Sequence, residues 1–391
     1  MSSRTEQRSR GETAAASWEQ TVQAASTAPE SRRTGADVSR AWQLVRREAT
    51  AAWEACGAYE WIALSYLGIS SLLMAAFAEN LAHPFRQLGV QALVAATVLG
   101  LCGVQARSEE RAAQIGETFY SRWWHFWRCW YPHLFFLFCF EELGHLTKLV
   151  TPQWQDAKLI AFDYWLTGVQ PTIWLEQFVT PARNEIMQFA YLTYFTYLLI
   201  LGGILYFRRD WRAYWAVMTY SMVGYSIGYL IAIVFPVESP WFAMAGAWKT
   251  PLTGGPVTAT INFIEQFGRV RGAAFPSEHV AGAVAVAWGA WKHRRWLFWV
   301  LAPLVFFMCA STIWGRYHYV ADIFGGIITG TLGYFLGTWL MQQKGSVLRS
   351  ITRGGAIIKR QSQVPGEVLT DTLPQNAVPT RATDPRRRRH Q

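Results

Sequence analysis

Charge is scarce in this sequence. Asp, Glu, Lys and Arg make up 16% of its 391 residues, well under the roughly 25% of an ordinary soluble domain. That shortage excludes a conventional soluble fold for most of the chain. Cysteine is sparse too. The five, Cys56, Cys102, Cys129, Cys139 and Cys309, form no C-x-x-C pair, so neither a disulfide framework nor a zinc ribbon is expected. They read as buried thiols that pack like small hydrophobes. Residues 1–50 hold no apolar segment. A cleavable signal peptide is therefore not expected, and the first span is expected to act as its own insertion signal.

Apolar residues are what the chain has in plenty. It is 51% hydrophobic and carries 21 tryptophans. Several runs reach the roughly 20 residues a helix needs to cross a bilayer. The pattern predicts an all-α, multi-pass membrane helical bundle of about eight spans, near 61–79, 88–105, 126–147, 186–207, 212–235, 277–291, 296–314 and 319–341. Residues 151–185 mix aromatics with Asp163, Pro171 and Glu176, which suits a helix lying among lipid headgroups. Residues 236–275 read as an ordered loop, and the ends, 1–35 and 360–391, as disordered. The divisions are then a polar segment 1–57, two extra spans with their connection over 58–119, a core domain over 120–341 and a basic tail over 342–391.

The formal charge is +10, and residues 344–391 hold ten Lys or Arg against three Asp or Glu. A basic tail on a membrane chain points to anionic membrane lipids rather than nucleic acid. Arg107 and Arg111, the RRDWR run at 208–212 and the KHRR run at 292–295 occupy alternate connections. With eight spans, these connections and both termini fall on one side, which the positive-inside rule makes cytoplasmic. The loop before the sixth span and the loop between the seventh and eighth then open on the extracytoplasmic face, periplasmic or lumenal.

Two stretches in those loops carry polar groups suited to chemistry. AAFPSEHVAG, residues 273–282, places Pro276 and Ser277 before an apolar run. Ser277 reads as an N-cap and His279 as a first-turn residue, where unpaired N–H groups favour an anion. STIWGRYHYVADIFGG, residues 311–326, sets His318 and Asp322 four apart. On a helix those two share a face, and the carboxylate fixes the imidazole tautomer. Two histidines at neighbouring helix mouths suit phosphoryl transfer, one attacking phosphorus and the other protonating the leaving oxygen. Lys249, Arg269, Arg271 and Arg316 are the candidate cations for the phosphoryl oxygens. Glu142 and His145 form one E-x-x-H, but a second pair is missing, so no metal is expected there. Tyr191 and Tyr194 read first as helix-packing residues and second as the lining of a headgroup pocket.

The two stretches resemble the type 2 phosphatidic acid phosphatase superfamily, which includes the vanadium haloperoxidases. Its pattern has a Lys and Arg-Pro segment, then P-S-G-H, then S-R, five residues, His, three residues, Asp. This chain reads Pro276-Ser277-Glu278-His279, then Ser311-Thr312, five residues, His318, three residues, Asp322. The resemblance covers about residues 120–341 and implies a six-helix catalytic core. It implies that His318 is the nucleophile, Asp322 its orienting partner, His279 the acid on the leaving group and Ser277 a phosphate ligand, with no cofactor. Two features depart from the pattern. Thr312 replaces the third-motif arginine, and no clear Lys-x6-Arg-Pro occurs upstream, which leaves Arg316 or Arg271 as substitutes. Both departures, with PVESPWF at 236–242 and YLTYFTY at 191–197, look like the branch of the inositol phosphorylceramide synthases.

The expected activity is that of a lipid-phosphate phosphatase or phosphotransferase acting through a phosphohistidine. Its partners are a lipid phosphate substrate and, for transfer, a lipid or polyol alcohol acceptor. The rival of another class is a non-catalytic lipid transporter or scaffold on the same fold, whose signature is a missing nucleophile, acid or orienting carboxylate. All three are in this sequence.

Overall fold

The computed structural model of the chain describes residues 30–361, apart from Arg269. The basic run Arg386–Arg389 and the first 29 residues lie outside the described residues. Two units are distinguished, one ending at Gln342 and one beginning at Gln343, the latter helical as far as Gln361.

Eleven helices of eight residues or more build the described chain: α1 (Glu30–Ala55), α2 (Ala58–Ala76), α3 (Pro84–Ile115), α4 (Phe119–Leu146), α5 (Asp156–Thr167), α6 (Pro181–Phe207), α7 (Trp211–Val234), α8 (Pro256–Gly268), α9 (Glu278–His293), α10 (Arg295–Trp314) and α11 (Val320–Gln361). No strand occurs among the described residues; Val237 and Ala273 form one isolated parallel bridge. The architecture is an all-α membrane helical bundle. Six helices, α2, α3, α6, α7, α10 and the Val320–Gln343 part of α11, are long and apolar enough to cross a bilayer. Two helices on the expected spans fall short of that measure. α9 has only 16 residues, and α4 carries Arg122, Arg128, Glu141 and Glu142 among its aromatics. Two expectations of irregular chain change: part of 1–35 is helical, within α1, and the loop 236–275 contains α8.

α7 is the hub. It is buried on all sides, with Tyr214, Val217, Met218 and Met222 all sealed from the surface, as befits a helix that is apolar all round. Its neighbours bury one stripe and expose the other: Phe207, Trp299 and Phe306 point outward, and in a bilayer that surface meets lipid. α9 and α10 pack together, α9 against α7, and α10 against α6. Lipid offers little hydrophobic drive between spans, so close approach through small residues does the work. Gly330 of α11 faces the Ala281 carbonyl of α9, and a Cβ built there would lie 2.4 Å from that oxygen. Only glycine lets the two backbones meet.

One end of this bundle is basic. Arg294, after α9, donates to Asp210 at 2.9 Å, and Asp210 also caps α7 through Ala213 N–H. The RRDWR and KHRR connections therefore share an end. The contact is partly exposed, so it adds little stability; its value here is as a marker. α9 runs from Glu278 to His293, so its first turn lies at the opposite end.

Candidate active site

Ser277 begins α9 as an N-cap, its Oγ accepting from Val280 N–H at 3.4 Å. That sets His279 in the first turn. His318 arrives from the loop after α10. The carbonyl of Thr312 accepts from both Tyr317 N–H and His318 N–H, and Arg316 adopts a left-handed φ of 64°. This tight reversal turns the chain back towards α9.

The two imidazoles meet directly, with His318 Nε2 3.3 Å from His279 Nδ1. Behind His318, its Nδ1 lies 3.0 Å from the Ala274 carbonyl and 3.2 Å from Asp322 Oδ2. Both neighbours are acceptors, so Nδ1 carries the proton and Nε2 keeps its lone pair. His279 Nδ1–H then donates to that lone pair, and His279 Nε2 accepts from the Tyr191 hydroxyl at 2.9 Å. Each polar atom of the chain Tyr191–His279–His318–Asp322 that takes part is satisfied in one direction. Burial holds the His318 imidazole well below its ordinary value, at about 4, against the opposing pull of the Ala274 carbonyl. It is a neutral base near neutral pH.

The expected shared helical face of His318 and Asp322 is corrected by the structure. His318 precedes α11, which begins at Val320. Asp322 sits in the first turn and its Oδ2 accepts from Tyr319 N–H at 2.8 Å. The carboxylate reaches back over the helix start as in half a capping box, and that bend, not a turn of helix, brings it to His318.

α5 holds the whole start of α11. Asp163 accepts from Val320 N–H at 2.9 Å and Ala321 N–H at 3.0 Å, taking two of the orphan donors of the helix. Seven residues earlier on the same face, Asp156 accepts from the Tyr319 hydroxyl at 2.9 Å and from Glu238 N–H at 3.1 Å. Burial raises the carboxyl values of both, opposed by these bonds. Four partners of the two histidine loops were not evident from sequence: Tyr191, the Ala274 carbonyl, Asp156 and Asp163. Only the period of seven between the two acids, inside an aromatic stretch, hinted at a buried acidic face.

The expected cations are placed elsewhere. Arg271 pairs with Glu238 and lies over the rings of Trp154 and Phe242. Arg316 donates to the Thr250 carbonyl at 2.7 Å and sits 4.6 Å over Trp248. The Lys249 side chain is exposed, its backbone N–H held by Glu176. Arg269 lies outside the described residues. The Ser277 hydroxyl oxygen accepts the cap bond from Val280 N–H, and the Thr312 hydroxyl donates to the Cys309 carbonyl at 2.8 Å. Among the described residues, Arg271, Arg316, Lys249, Ser277 and Thr312 do not line the cavities at the two histidines.

A cavity of about 460 Å³ opens beside His279, between α4, α6, α7, α8 and α9. Its wall is aromatic, from Phe136, Phe140, Tyr194, Tyr225 and Tyr229, with Glu278 and His279 among the polar groups. A smaller space of about 70 Å³ adjoins both histidines and shares Tyr191, Phe140, Glu278 and His279 with the larger one. The arrangement couples a neutral imidazole nitrogen, a second imidazole 3.3 Å from it, and a slot suited to an apolar chain.

Residues 157–336 match a family model described as the PAP2 superfamily. The match spans both histidine stretches and the clamp at Asp163. No curated protein and no solved structure matches the chain.

Proposed function

We propose that this chain is an integral membrane enzyme of the type 2 phosphatidic acid phosphatase superfamily, acting on a lipid phosphate through a phosphohistidine. One observation carries the reading: His318 Nε2 faces His279 Nδ1 at 3.3 Å, with Asp322 and Ala274 holding the far nitrogen. The family match over 157–336 supports the class of chemistry.

His318 Nε2 attacks phosphorus as the ester P–O bond breaks. His279 takes a proton from the bound phosphate monoester monoanion and gives it to the leaving oxygen, and the lipid departs as an alcohol. A P–N bond now holds the phosphoryl group. Water, or a lipid or polyol alcohol, attacks phosphorus next. Its proton returns to His279 and His318 leaves as neutral imidazole. Asp322 and the Ala274 carbonyl keep Nδ1–H fixed throughout, which orients the nucleophile and stabilises the charge it gains on attack. The resting contact between the rings must part to admit the phosphoryl group. Arg271, Arg316 and Lys249 reach its oxygens only by leaving their present partners.

Hydrolysis makes this a phosphatase. Transfer to a lipid alcohol makes it similar to the inositol phosphorylceramide synthases, and the cavity beside His279 favours that second reading. The basic end of the bundle supports a cytoplasmic placement for the connections at 208–212 and 292–295, with the histidines at the extracytoplasmic surface.

The test is labelled lipid phosphate supplied to purified protein. His318→Ala is expected to abolish turnover while the protein stays folded, and wild type to trap acid-labile label on His318. Unchanged turnover in His318→Ala overturns the assignment. Free phosphate released with no acceptor present argues against an obligate transferase.

A further inference from the structure

Glu278 takes no part in the chemistry above. Its side chain is shut away, the residue being 3% exposed, yet neither carboxyl oxygen has a hydrogen-bond partner among the described residues. Such a group is costly to bury unpaired. Space has been cleared for it: it stands over Gly228 of α7, where a Cβ would lie 2.0 Å from Oε1. It lines both the large aromatic cavity and the smaller space at the two histidines. Glu141, Glu265 and His133 also stand on that wall, and His133 Nε2 has no hydrogen-bond partner among the described residues. Tyr194 and Tyr225 bond each other at 2.8 Å, and both nitrogens of His279 are taken. Glu278 therefore brings two unspent acceptor oxygens to a largely aromatic slot, one residue from His279.

The partner of these oxygens must carry a donor and travel into an aromatic cavity within the bundle. An ammonium group pays a large desolvation cost on that path. A hydroxyl pays far less and still donates to a carboxyl oxygen. A lipid alcohol is also what remains when a lipid loses its phosphate, and what an acceptor is before it gains one. We propose that Glu278 binds the free hydroxyl of a lipid alcohol whose chain fills the cavity, so that the alcohol side of the reaction has its own recognition group. This deepens the phosphatase or transferase reading and rests on it for the alcohol's place in the reaction.

The probes are dioctanoylglycerol and its O-methyl ether, which differ at the one hydroxyl. Binding to the purified full chain in detergent is measured by native mass spectrometry, for wild type, Glu278→Gln and Glu278→Leu, each checked for a monodisperse folded peak. Wild type is expected to favour the alcohol over the ether by on the order of 10-fold. Glu278→Leu is expected to lose that preference and Glu278→Gln, which keeps an acceptor oxygen, to retain part of it. Equal binding of the two probes by wild type, or an undiminished preference in Glu278→Leu, overturns the proposal. Inhibition of lipid-phosphate turnover by dioctanoylglycerol gives the second arm. There Glu278→Leu is expected to need about 10-fold more alcohol. If no lipid phosphate is turned over by wild type, the functional reading falls, while the binding arm still decides the role of Glu278.

Discussion

The nucleophile role proposed for His318 requires an unprotonated ring, and burial favours that form. Its value of about 4 in the fold stands against an ordinary value of 6.5. The unfolded chain binds more protons between those limits. The contribution of His318 to stability is therefore complete above about pH 6.5 and falls as the pH drops towards 4. The same shift places the acid limb of phosphoenzyme formation near pH 4 rather than 6.5, to be read from burst amplitudes across pH; a limb at 6.5 would show that burial does not set this nitrogen. Tyr191 orients the other ring. Tyr191→Phe removes the hydroxyl on His279 Nε2, worth about 1 kcal/mol, and is expected to lower kcat/KM roughly 3- to 10-fold with the acid limb unmoved. Turnover equal to wild type would make the tyrosine a packing residue. At this scale the sequence was partly readable. Ser277 before an apolar run marked a helix start, and with it the first-turn place of His279. Tyr191 was visible as a packing or pocket residue, but its bond to His279 was not readable, because the two lie on different helices 88 residues apart. Arg271 and Arg316 were visible as cations, but Glu238 and the Thr250 carbonyl that hold them were not, since pairing depends on which loops fold together.

Among the elements, α5 bears most on the site. A short helix outside the spans supplies both acceptors for the start of α11 and a bond to the Tyr319 side chain next to His318. Asp163→Ala strands two buried N–H groups and is expected to cost about 1–3 kcal/mol, measured as a lowered thermal midpoint in detergent. Turnover is expected to fall with it, since His318 immediately precedes the clamped turn. Wild-type stability and activity in this variant would sink the clamp. The faces of α5 invert the usual order: Asp156, Leu159 and Asp163 are buried, whereas Tyr164 and Trp165 are exposed. Hydropathy alone reads such a helix as a surface segment and leaves its grip on α11 hidden. The reach from His318 to Asp322 was misread for a related reason. Spacing of four suggests one helical face, but a helix start can bring the same two residues together by bending back.

For the molecule as a whole, long apolar runs made the bundle legible in outline. α9 was harder, being short and built from small residues that measure as only mildly apolar. Its place is fixed by contact with α7 and α11. The basic connections and the histidines lie at opposite ends of α9. An impermeant thiol reagent applied to intact cells is expected to label Lys249→Cys and not Arg208→Cys, with the unmodified chain as the blank; the reverse pattern would invert the topology. One further consequence belongs to α5. Trp165 reaches outward while Asp163, two residues before it, grips the turn next to His318. A leaflet that presses on the exposed ring thus bears on the same short helix that holds this turn, and on the proposed function turnover is expected to change with acyl-chain length in nanodiscs; a rate indifferent to it would separate the two.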